Sequence, residues 1–478
     1  MLFGAPHMAQ SGWVPEIKIS GPGIAYYPQV LVQDTLLHVI YQTEPHIYYV
    51  RSSDHGSTWT TPAFASGDTC SGIFARIFAY DRWLLVLWLG HQFPMSNYYN
   101  IFYTHSSDFG NTWSSPNYVL PYPGMEDLRF FAAAHDGGTI VNIIFAESMT
   151  SHHPGRFYSI RGTRFGLTWG SPVELFAART TQELDMTYSC DVYHVAWCGE
   201  IDSSFGEFYY FRSTDGGMSW SQNQLISPLD IFPSNCPQLA ANEMGDIAVI
   251  WNDLSQSPYW SGDIFLRRSF DQGQSWLDQQ QITISHFAEG TDICWSGNNI
   301  SIAWEDLRRS LSNIYYIKST DSGENWGEEY HMGYDSCIAQ YPCLAAFGNM
   351  TYLTWFDGRA NPDTDIHGAI YFTRYQEEPD SVKDNDIMLS QGLRLSSYPN
   401  PFNSSTIIKY INPNEKGGEV AIYNLQGQLI KTFKTEGKVA NIEWDARDAT
   451  GNKVSSGIYF AKASNNNNSS TIKLIYLK

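Results

Sequence analysis

Carboxylate, guanidinium and phenol side chains occur along the chain, most of them where a strand-like run begins. The candidates for catalysis are Arg76, Asp127, Arg129, Glu183 and Asp185, and those for ligand binding are Tyr27, Glu289, Asp292, Arg308, Tyr341 and Arg359. Carboxyl groups can exchange protons with a reacting group, and a guanidinium binds an anion through two parallel hydrogen bonds. Gathered in one pocket, these side chains would support acid–base chemistry on an anionic ligand.

Acidic residues also recur after tryptophan. The runs are Trp251-Asn-Asp253, Trp304-Glu-Asp306 and Trp355-Phe-Asp357, and Arg308 and Arg359 follow two of them. A residue that a reaction needs once has no reason to recur in three repeats, so we interpret these aspartates chiefly as acceptors of loop-closing hydrogen bonds. The two arginines remain binding candidates, because a guanidinium can hold a carboxylate bidentately.

The histidines and cysteines lack the spacing of a metal site. No H-E-x-x-H or C-x-x-C motif occurs, so we expect no metal and no other cofactor. Among the seven cysteines, Cys190 with Cys198 and Cys337 with Cys343 are close enough in sequence for local disulfides. The alternative is that they are buried free thiols.

One eight-residue template recurs along the chain. Five copies are near-identical: Ser52–Trp59, Ser106–Trp113, Ser213–Trp220, Ser269–Trp276 and Ser319–Trp326. A sixth, Gly162–Trp169, has Arg164 where the others have Asp. Asp and Ser side chains bond to turn backbone, Gly supplies a positive φ, and Trp covers the next strand, so each copy predicts a hairpin turn.

Strand-like runs precede each template turn. We count seven such units, starting near Tyr27, Gly72, Asp127, Glu183, Pro237, Thr291 and Tyr341. With the segment after the turn, each unit supplies four strands, which predicts an all-β, seven-bladed β-propeller, six blades being the alternative. The seventh unit has no template, and the segment Trp13–Ile19 resembles the end of one. We therefore expect the N-terminal strand to complete the last blade.

A different pattern follows residue 375. Residues 376–395 form a polar linker, and residues 396–478 contain short strand-like runs typical of a small immunoglobulin-like β-sandwich. Tyr398-Pro-Asn-Pro-Phe402, Ser456-Gly-Ile-Tyr459 and the terminal Lys473 and Lys478 resemble the C-terminal sorting domain of the type IX secretion system. That resemblance implies export to the surface or exterior of a Gram-negative bacterium, with the type IX machinery as a partner.

The template resembles the Asp-box, or BNR repeat, of sialidases and other secreted propellers, over residues 11–375. The boxes are expected on the face opposite the pocket, so we assign them no catalytic role. Sialidases hold a sugar carboxylate with three arginines and carry Arg-Ile-Pro on an early strand. Here Arg76-Ile77-Phe78 is the nearest match, without the proline, and Arg129, Arg308 and Arg359 are its potential companions.

Three functions are compatible with these residues. The preferred one is a sialidase-like glycoside hydrolase acting on extracellular acidic glycans or glycoproteins. Such hydrolysis ordinarily needs two carboxyl groups across the glycosidic bond, whereas sialidases use a tyrosine nucleophile. The second is a non-catalytic propeller that binds glycan or protein in adhesion. The third is a polysaccharide lyase, which needs a His or Tyr base beside an arginine.

Composition restricts the partners. The formal net charge of -20 repels phosphate backbones, so nucleic-acid binding is not expected. No apolar run is long enough to span a bilayer. Residues 1–10 are interpreted as a signal-peptide remnant or an expression-vector scar, and the chain is expected to be a monomer.

Overall fold

The structure is a computed structural model. It describes residues 12–33, 35–43, 46–67, 70–92, 99–120, 128–147, 155–201, 206–255, 261–334, 336–360, 367–376, 394–398, 402–411, 418–435, 439–464 and 469–477. All the regular secondary structure within these ranges is β-strand, which agrees with the all-β prediction. The chain divides into two compact units, Met1–Asp380 and Ser381–Lys478.

The first unit contains seven antiparallel sheets within the described residues. Sheet 7 consists of β1 (Ile17–Lys18), β27 (Ala339–Phe347), β28 (Met350–Ala360) and β29 (His367–Gln376). Sheet 1 consists of β2 (Tyr26–Gln33), β3 (Leu36–Thr43), β4 (His46–Ser52) and β5 (Ala63–Phe64). Sheet 2 consists of β6 (Cys70–Tyr80), β7 (Trp83–Gln92), β8 (Asn100–Ser106) and β9 (Asn117–Tyr118). Sheet 3 has five strands, β10 (Leu128–His135), β11 (Val141–Glu147), β12 (Gly155–Thr163), β13 (Thr168–Trp169) and β14 (Val173–Ala178).

The remaining three sheets repeat the four-stranded order. Sheet 4 consists of β15 (Thr180–Ser189), β16 (Val192–Glu200), β17 (Glu207–Ser213) and β18 (Gln224–Leu225). Sheet 5 consists of β19 (Ser234–Ala241), β20 (Ile247–Asp253), β21 (Asp263–Ser269) and β22 (Gln280–Gln281). Sheet 6 consists of β23 (Ala288–Ser296), β24 (Asn299–Asp306), β25 (Asn313–Ser319) and β26 (Tyr330–Met332).

The first strands of the sheets form a closed cycle. β2, β6, β10, β15, β19, β23 and β27 each contact the next, and β27 contacts β2. The second strands are buried on both faces, as in β20, where all residues from Ile247 to Asp253 are buried. Such strands are apolar on both faces because each packs between two neighbouring sheets. The core is therefore distributed between the sheets.

The N-terminal segment joins the last sheet, as predicted. β1 pairs with β29, with Ile17 opposite Phe372, and Trp13 forms an isolated bridge with Tyr375. Trp13 is buried, and its ring lies 4.9 Å from that of Tyr316. β1 thus covers one edge of β29 and ties the N-terminal segment to the last strand of the first unit.

The template turns form a repeated hydrogen-bond pattern. In the third near-identical copy, Gly217 N donates to Ser213 Oγ at 2.9 Å and Ser219 N donates to Asp215 Oδ1 at 2.9 Å. Hydrogen bonds from Ser219 lower the pKa of the Asp215 carboxyl to about 2. These bonds satisfy the turn backbone with the side chains that the template repeats.

The same turns connect neighbouring sheets. A basic side chain on the third strand of one sheet donates to the carbonyl that follows the template Asp position in the next sheet, as Arg212 Nη1 does to Gln272 O at 2.6 Å. The other pairs are Arg51 with Phe109, His105 with Phe165, Arg161 with Gly216, Arg268 with Ser322 and Arg374 with His55. Sheet 7 lacks a template, and Lys318 of sheet 6 instead lies 5.0 Å from the ring of Tyr375.

The described cysteines are free thiols, so the disulfide alternative is wrong for both pairs. Cys190 lies in the turn after β15, whereas Cys198 lies near the far end of β16. A strand of this length separates the Cα atoms of the two cysteines by far more than roughly 7 Å, which is the largest Cα–Cα distance that a disulfide tolerates. Cys337 donates instead to Asp357 Oδ1 at 3.4 Å.

The second unit consists of two antiparallel sheets. One contains β30 (Arg394–Tyr398), β31 (Thr406–Ile411) and β34 (Val439–Trp444), and the other β32 (Gly418–Asn424), β33 (Leu429–Thr435), β35 (Gly457–Ser464) and β36 (Ser469–Tyr476). Their shared core is built around Trp444, whose ring packs against Phe402 and Tyr459.

Candidate functional site

A one-residue β-bulge interrupts each of the seven first strands near its start. The register shifts lie between Tyr26 and Gln29, Ile73 and Arg76, Leu128 and Phe130, Thr181 and Leu184, Asn235 and Gln238, Glu289 and Asp292, and Gln340 and Cys343. Bulges redirect side chains and are common beside active sites. Seven equivalent bulges on one closed cycle therefore define a ring of redirected side chains, which we call the bulge ring.

The bulge ring and the template turns lie at opposite ends of the sheets. In sheet 1, Tyr26 at the bulge pairs with Gln42 near the end of β3. Leu37, at the start of β3, pairs with Ser52, which begins the template. The same register recurs in the other sheets that carry a template, so the turns are remote from the bulge ring.

Aromatic side chains occupy consecutive positions of the bulge ring. Tyr341, Tyr27 and Phe74 have φ angles of 57°, 50° and 52° and follow one another around the cycle. The ring centroids of Tyr341 and Tyr27 are 4.3 Å apart, those of Tyr27 and Phe74 are 6.0 Å apart, and those of Phe74 and Phe130 are 6.5 Å apart. Tyr27 and Phe74 are exposed, so these four residues form an open aromatic surface, the aromatic arc.

A cavity of about 190 Å³ adjoins the aromatic arc. Arg76 and Glu183 line it together, and its other walls are Phe74, Phe130, Phe131, Leu184, Cys236, Pro237, Gln238, Gly290 and Thr291. Glu183 is exposed as a residue, but desolvation of its carboxyl by the surrounding protein raises its pKa. A hydrogen bond with the Cys236 thiol and the charge of Arg76 act in the opposite direction. The structure thus brings together two predicted catalytic residues, a cation and a carboxyl group that retains its proton more readily than usual.

Asp185 and Asp292 lie deeper and are bound to backbone. Asp185 Oδ2 accepts from Leu239 N at 2.8 Å, and Asp292 Oδ2 accepts from Leu344 N at 2.6 Å. Both donors belong to the first strand of the next sheet, where the inner edge has no strand partner. Burial raises both pKa values, that of Asp292 to about 7. Each carboxyl therefore satisfies a strand edge in the neighbouring sheet.

Glu289 and Tyr341 lie beside an acidic residue that sequence reasoning missed. Glu305 Oε1 accepts from Tyr341 N at 2.8 Å, and burial raises the pKa of Glu305 to about 7. Burial is the main reason that the pKa of Glu289 is raised, and the charge of Asp306 raises it further. Glu305 follows Trp304 in sequence, within one of the recurring runs that we had interpreted as structural.

Arg308 and Arg359 are absent from the described lining of the cavity, and the structure holds them elsewhere. Arg308 forms ion pairs with Asp306 and Glu329, both at 2.6 Å. Arg359 is paired with Asp357 at 2.5 Å and with Glu16 at 2.7 Å. In each case the aspartate two residues earlier captures the guanidinium, because the strand end places both groups on the same side. The expected gathering of these arginines with Arg76 is not formed.

The other predicted residues have different standing. Arg129 is the bulge residue of sheet 3 and is exposed. Asp127 lies outside the described residues. No histidine lines the described part of the cavity. His38 and His194 are buried between sheets and bonded to Tyr49 and Tyr210, and desolvation lowers their pKa values to about 4 and 3.

A larger hollow, of about 490 Å³, lies among the template turns. It is lined by Leu36, Arg51, Ser53, Thr58, Trp59, Thr60 and Phe109. Arg51, the one cation among the described residues that line it, already donates to Phe109 O at 2.7 Å and to Asn111 Oδ1 at 3.2 Å. Size alone favours this hollow, but its polar groups bind one another, so the smaller cavity is the better candidate site.

Comparison with known proteins adds two findings. Residues 396–477 match the family described as the secretion system C-terminal sorting domain. This type IX domain indicates that the chain is secreted or attached to the cell surface of a Bacteroidetes-type bacterium. No helix among the described residues is long and apolar enough to cross a membrane. The sequence matches no curated protein at a significant level.

Two solved structures resemble the chain in fold. One is a polysaccharide lyase PL25, an ulvan lyase bound to a saccharide of GlcA and Rha3S, with 12% identity and a TM-score of 0.54 over 76% of this chain and 95% of that chain. The other is the polysaccharide lyase Uly1, with 10% identity and a TM-score of 0.50 over 75% of this chain and 92% of that chain. At such identities the likeness shows the fold alone, and that fold is a β-propeller.

Proposed function

We propose that the chain is a secreted, carbohydrate-active β-propeller that acts on extracellular acidic glycans. The observation that carries this proposal is that Arg76 and Glu183 line one aromatic-walled cavity. A guanidinium binds the carboxylate or sulfate of an acidic sugar, and aromatic walls bind its apolar face. The ulvan lyase of similar fold was solved with a saccharide that contains GlcA, which supports an acidic ligand.

Glycoside hydrolysis is the reaction we propose for this site. The raised pKa of Glu183 makes its carboxyl suited to protonate a leaving glycosidic oxygen. Arg76 would fix the acidic sugar beside it. Sialic acid is one possible acidic sugar, favoured by the likeness of the template to the Asp-box; the pairing of Arg308 and Arg359 with acids weighs against a three-arginine clamp.

The architecture we propose is a seven-bladed propeller over residues 11–375, joined by the linker 376–395 to an immunoglobulin-like sorting domain. The seven sheets and the closed cycle of their first strands support seven blades over six. In this arrangement the bulge ring surrounds one mouth of the central channel, where propellers place their loops of variable sequence.

Non-catalytic glycan binding is the second candidate. It is favoured by the backbone bonds of Asp185 and Asp292, which leave Glu183 as the one carboxyl among the described lining residues of the cavity. Hydrolysis normally requires two carboxyl groups across the scissile bond. A site with one carboxyl and one cation can bind an acidic sugar without cleaving it.

An activity screen of the purified full chain decides between these functions. Sialosides, polygalacturonate, ulvan and other sulfated polysaccharides would be incubated with the wild type and with Arg76→Ala, Glu183→Gln and Arg156→Ala. New reducing ends, the ultraviolet absorbance of an unsaturated product, and binding by calorimetry would be measured. Arg156 is the control because its ion pair with Glu174 is on the exposed side of sheet 3.

Each function predicts a separate result. A hydrolase forms reducing ends without new absorbance, and Glu183→Gln slows it by about a hundredfold or more. A lyase forms both signals, whereas a binding protein forms neither and loses affinity in Arg76→Ala. The proposal is rejected if no acidic glycan is bound or cleaved, or if Arg76→Ala and Glu183→Gln behave like Arg156→Ala.

A further inference from the structure

The aromatic arc is a surface that the packing of the propeller does not require. Phe74 is 41% exposed and Tyr27 is 37% exposed, although large apolar side chains are normally buried. Their neighbours Tyr341 and Phe130 are partly buried and extend the same surface across four consecutive sheets, 7, 1, 2 and 3. An open run of aromatic rings of this kind marks a binding surface.

Backbone strain at these positions also indicates a binding surface. Tyr341, Tyr27 and Phe74 hold left-handed φ angles of 50–57°, a region in which the backbone of a bulky residue is strained. The equivalent bulge positions are Cys236 in sheet 5, with φ 52°, and Gly290 in sheet 6, with φ 53°, so the bulge forms without an aromatic ring and glycine can form it. The rings are retained at positions where the backbone favours glycine, and strained residues of this kind cluster at ligand-binding sites.

The aromatic arc is continuous with the charged cavity. Phe74 and Phe130 belong to both, because they line the cavity that contains Arg76 and Glu183. The lining residues from sheets 4, 5 and 6 are Glu183, Leu184, Cys236, Pro237, Gln238, Gly290 and Thr291, and none of them is aromatic. Among the described residues, the aromatic lining of the cavity is therefore confined to sheets 2 and 3, and Arg76 lies on sheet 2 as well.

We propose that the aromatic arc is a second sugar subsite, at which a ring adjoining the acidic sugar on Arg76 stacks on Tyr27 and Phe74. The C–H face of a pyranose is apolar and flat, and it matches exposed aromatic rings as the anionic group matches the guanidinium. The ligand is then an acidic oligosaccharide chain rather than a single sugar. This inference rests on the proposed glycan-binding function of the cavity.

The test measures how affinity depends on chain length. Monomers to hexamers of galacturonic acid, hyaluronan and ulvan oligosaccharides would be titrated by calorimetry into the full-length wild type, Tyr27→Ala, Phe74→Gly, Arg76→Ala and Tyr80→Ala. Tyr80 is the matched control, because it is an exposed aromatic residue at the opposite end of the strand that carries Phe74. Phe74→Gly also suits the φ of 52°, so its melting temperature should equal or exceed that of the wild type.

The outcomes separate the subsite from the proposed function. The proposal predicts that affinity rises with chain length in the wild type and in Tyr80→Ala. Tyr27→Ala loses about tenfold for long chains while retaining affinity for the monomer, and Phe74→Gly, which also alters a cavity wall, loses more affinity for long chains than for the monomer. Equal affinity for monomer and hexamer, or arc variants that bind like the wild type, would overturn the subsite while leaving the cavity function intact. A wild type that binds none of these saccharides overturns both proposals. If Phe74→Gly lowers the melting temperature and leaves affinity unchanged, the ring is structural and the subsite is rejected.

Discussion

At the scale of single residues, Arg76 must attract an anion within an acidic chain. The formal net charge is -20, so the protein as a whole repels acidic glycans. Salt screens this repulsion over a Debye length of about 8 Å at physiological ionic strength, while a contact inside a cavity is screened far less. Arg76 is the one cation among the described residues that line the cavity, so local contact rather than long-range attraction selects the ligand.

Asp292 gives a prediction about pH. Its folded-state pKa of about 7 lies above the unfolded value near 4, so the folded protein binds the proton more tightly. The free energy of unfolding therefore falls as pH rises from about 4 to 7, and the cost is present in full above pH 7. The carboxylate accepts from Ile293 N through Oδ1 and from Leu344 N through Oδ2, whereas Asp292→Asn keeps one of these acceptors and loses the charge. The free energy of unfolding of Asp292→Asn relative to the wild type should therefore be about 1–2 kcal/mol higher at pH 8 than at pH 4.

The measurement is thermal unfolding of wild type and Asp292→Asn between pH 4 and pH 8. This relative gain should disappear near pH 4, where both side chains are neutral. Buried histidines such as His38 and His194 destabilise both proteins equally as pH falls below about 6.5, so they cancel in the difference. Glu419→Gln, at an exposed carboxyl of the second unit, is the control. A difference between the two proteins that is the same at pH 4 and pH 8 would show that the Asp292 charge is not the cause.

Part of the site could be predicted from residue type and position. Glu183 starts its repeat unit and Arg76 lies four residues after the start of another, and the closed cycle of first strands brings them to one cavity. Phe74 was missed because it is turned outward by a β-bulge. A bulge depends on how two strands pair, which cannot be read from the type of any single residue. Arg308 and Arg359 were misplaced because the sequence shows that acids are nearby but not that they already bind the guanidinium groups.

At the scale of elements, the template turns join the sheets to one another. Arg212 of sheet 4 donates to the carbonyl of Gln272 in the turn of sheet 5, and the same bond recurs around the cycle. The repeated Gly, Asp and Trp predict a turn in each unit, and the turns are present. The bond between sheets was not predicted, because its donor belongs to the preceding repeat, where Arg212 comes directly before the first template residue, Ser213.

Gly273 tests the role of the template glycine. A Cβ there would lie 2.0 Å from the Tyr210 hydroxyl of the preceding sheet, and φ is +77°. Tyr210 is buried and hydrogen-bonded to His194, so it cannot move aside. Gly273→Ala should lower the free energy of unfolding by about 2–4 kcal/mol, combining a steric clash with backbone strain.

The control is Gly137→Ala, at a turn glycine with φ +70° and no atom within 4 Å of the added Cβ. It carries the backbone strain alone and should cost about 1 kcal/mol. Urea unfolding of both variants measures the difference. Equal losses would mean that the template glycine serves only its own turn and not the contact between sheets.

At the scale of the whole molecule, the first unit depends on one closure. Sheet 7 is built from the chain ends of this unit, since β1 completes a sheet whose other strands come more than 300 residues later. Pairing at such sequence separation has a high entropic cost, so side-chain contacts at the junction must hold the strand in place. The sequence predicted this closure because the last repeat lacks its template and the first segment resembles one.

The ion pair between Glu16 and Arg359 is the junction contact that a conservative substitution can test. Arg359 Nη1 and Nη2 donate to the two oxygens of Glu16 at 2.7 and 3.1 Å, and the guanidinium lies 3.9 Å from the ring centroid of Tyr371. Both partners are mostly shielded from solvent, with side-chain exposures of 18% and 25%. Glu16→Gln removes the charge from this bidentate pair and should lower the free energy of unfolding of the first unit by about 1–2 kcal/mol.

The matched control is Glu174→Gln, which breaks a pair with Arg156 that is 3.3 Å long and has exposures of 42% and 49%. Solvent screens an exposed pair of this kind, so its loss should leave the melting temperature nearly unchanged. Hydrogen exchange then distinguishes closure from local fraying. If the ring depends on this contact, Glu16→Gln increases exchange in β29 and its neighbours together with β1, because opening one sheet exposes the next. Faster exchange confined to β1, with an unchanged melting temperature, would show that the propeller holds its closure without the ion pair.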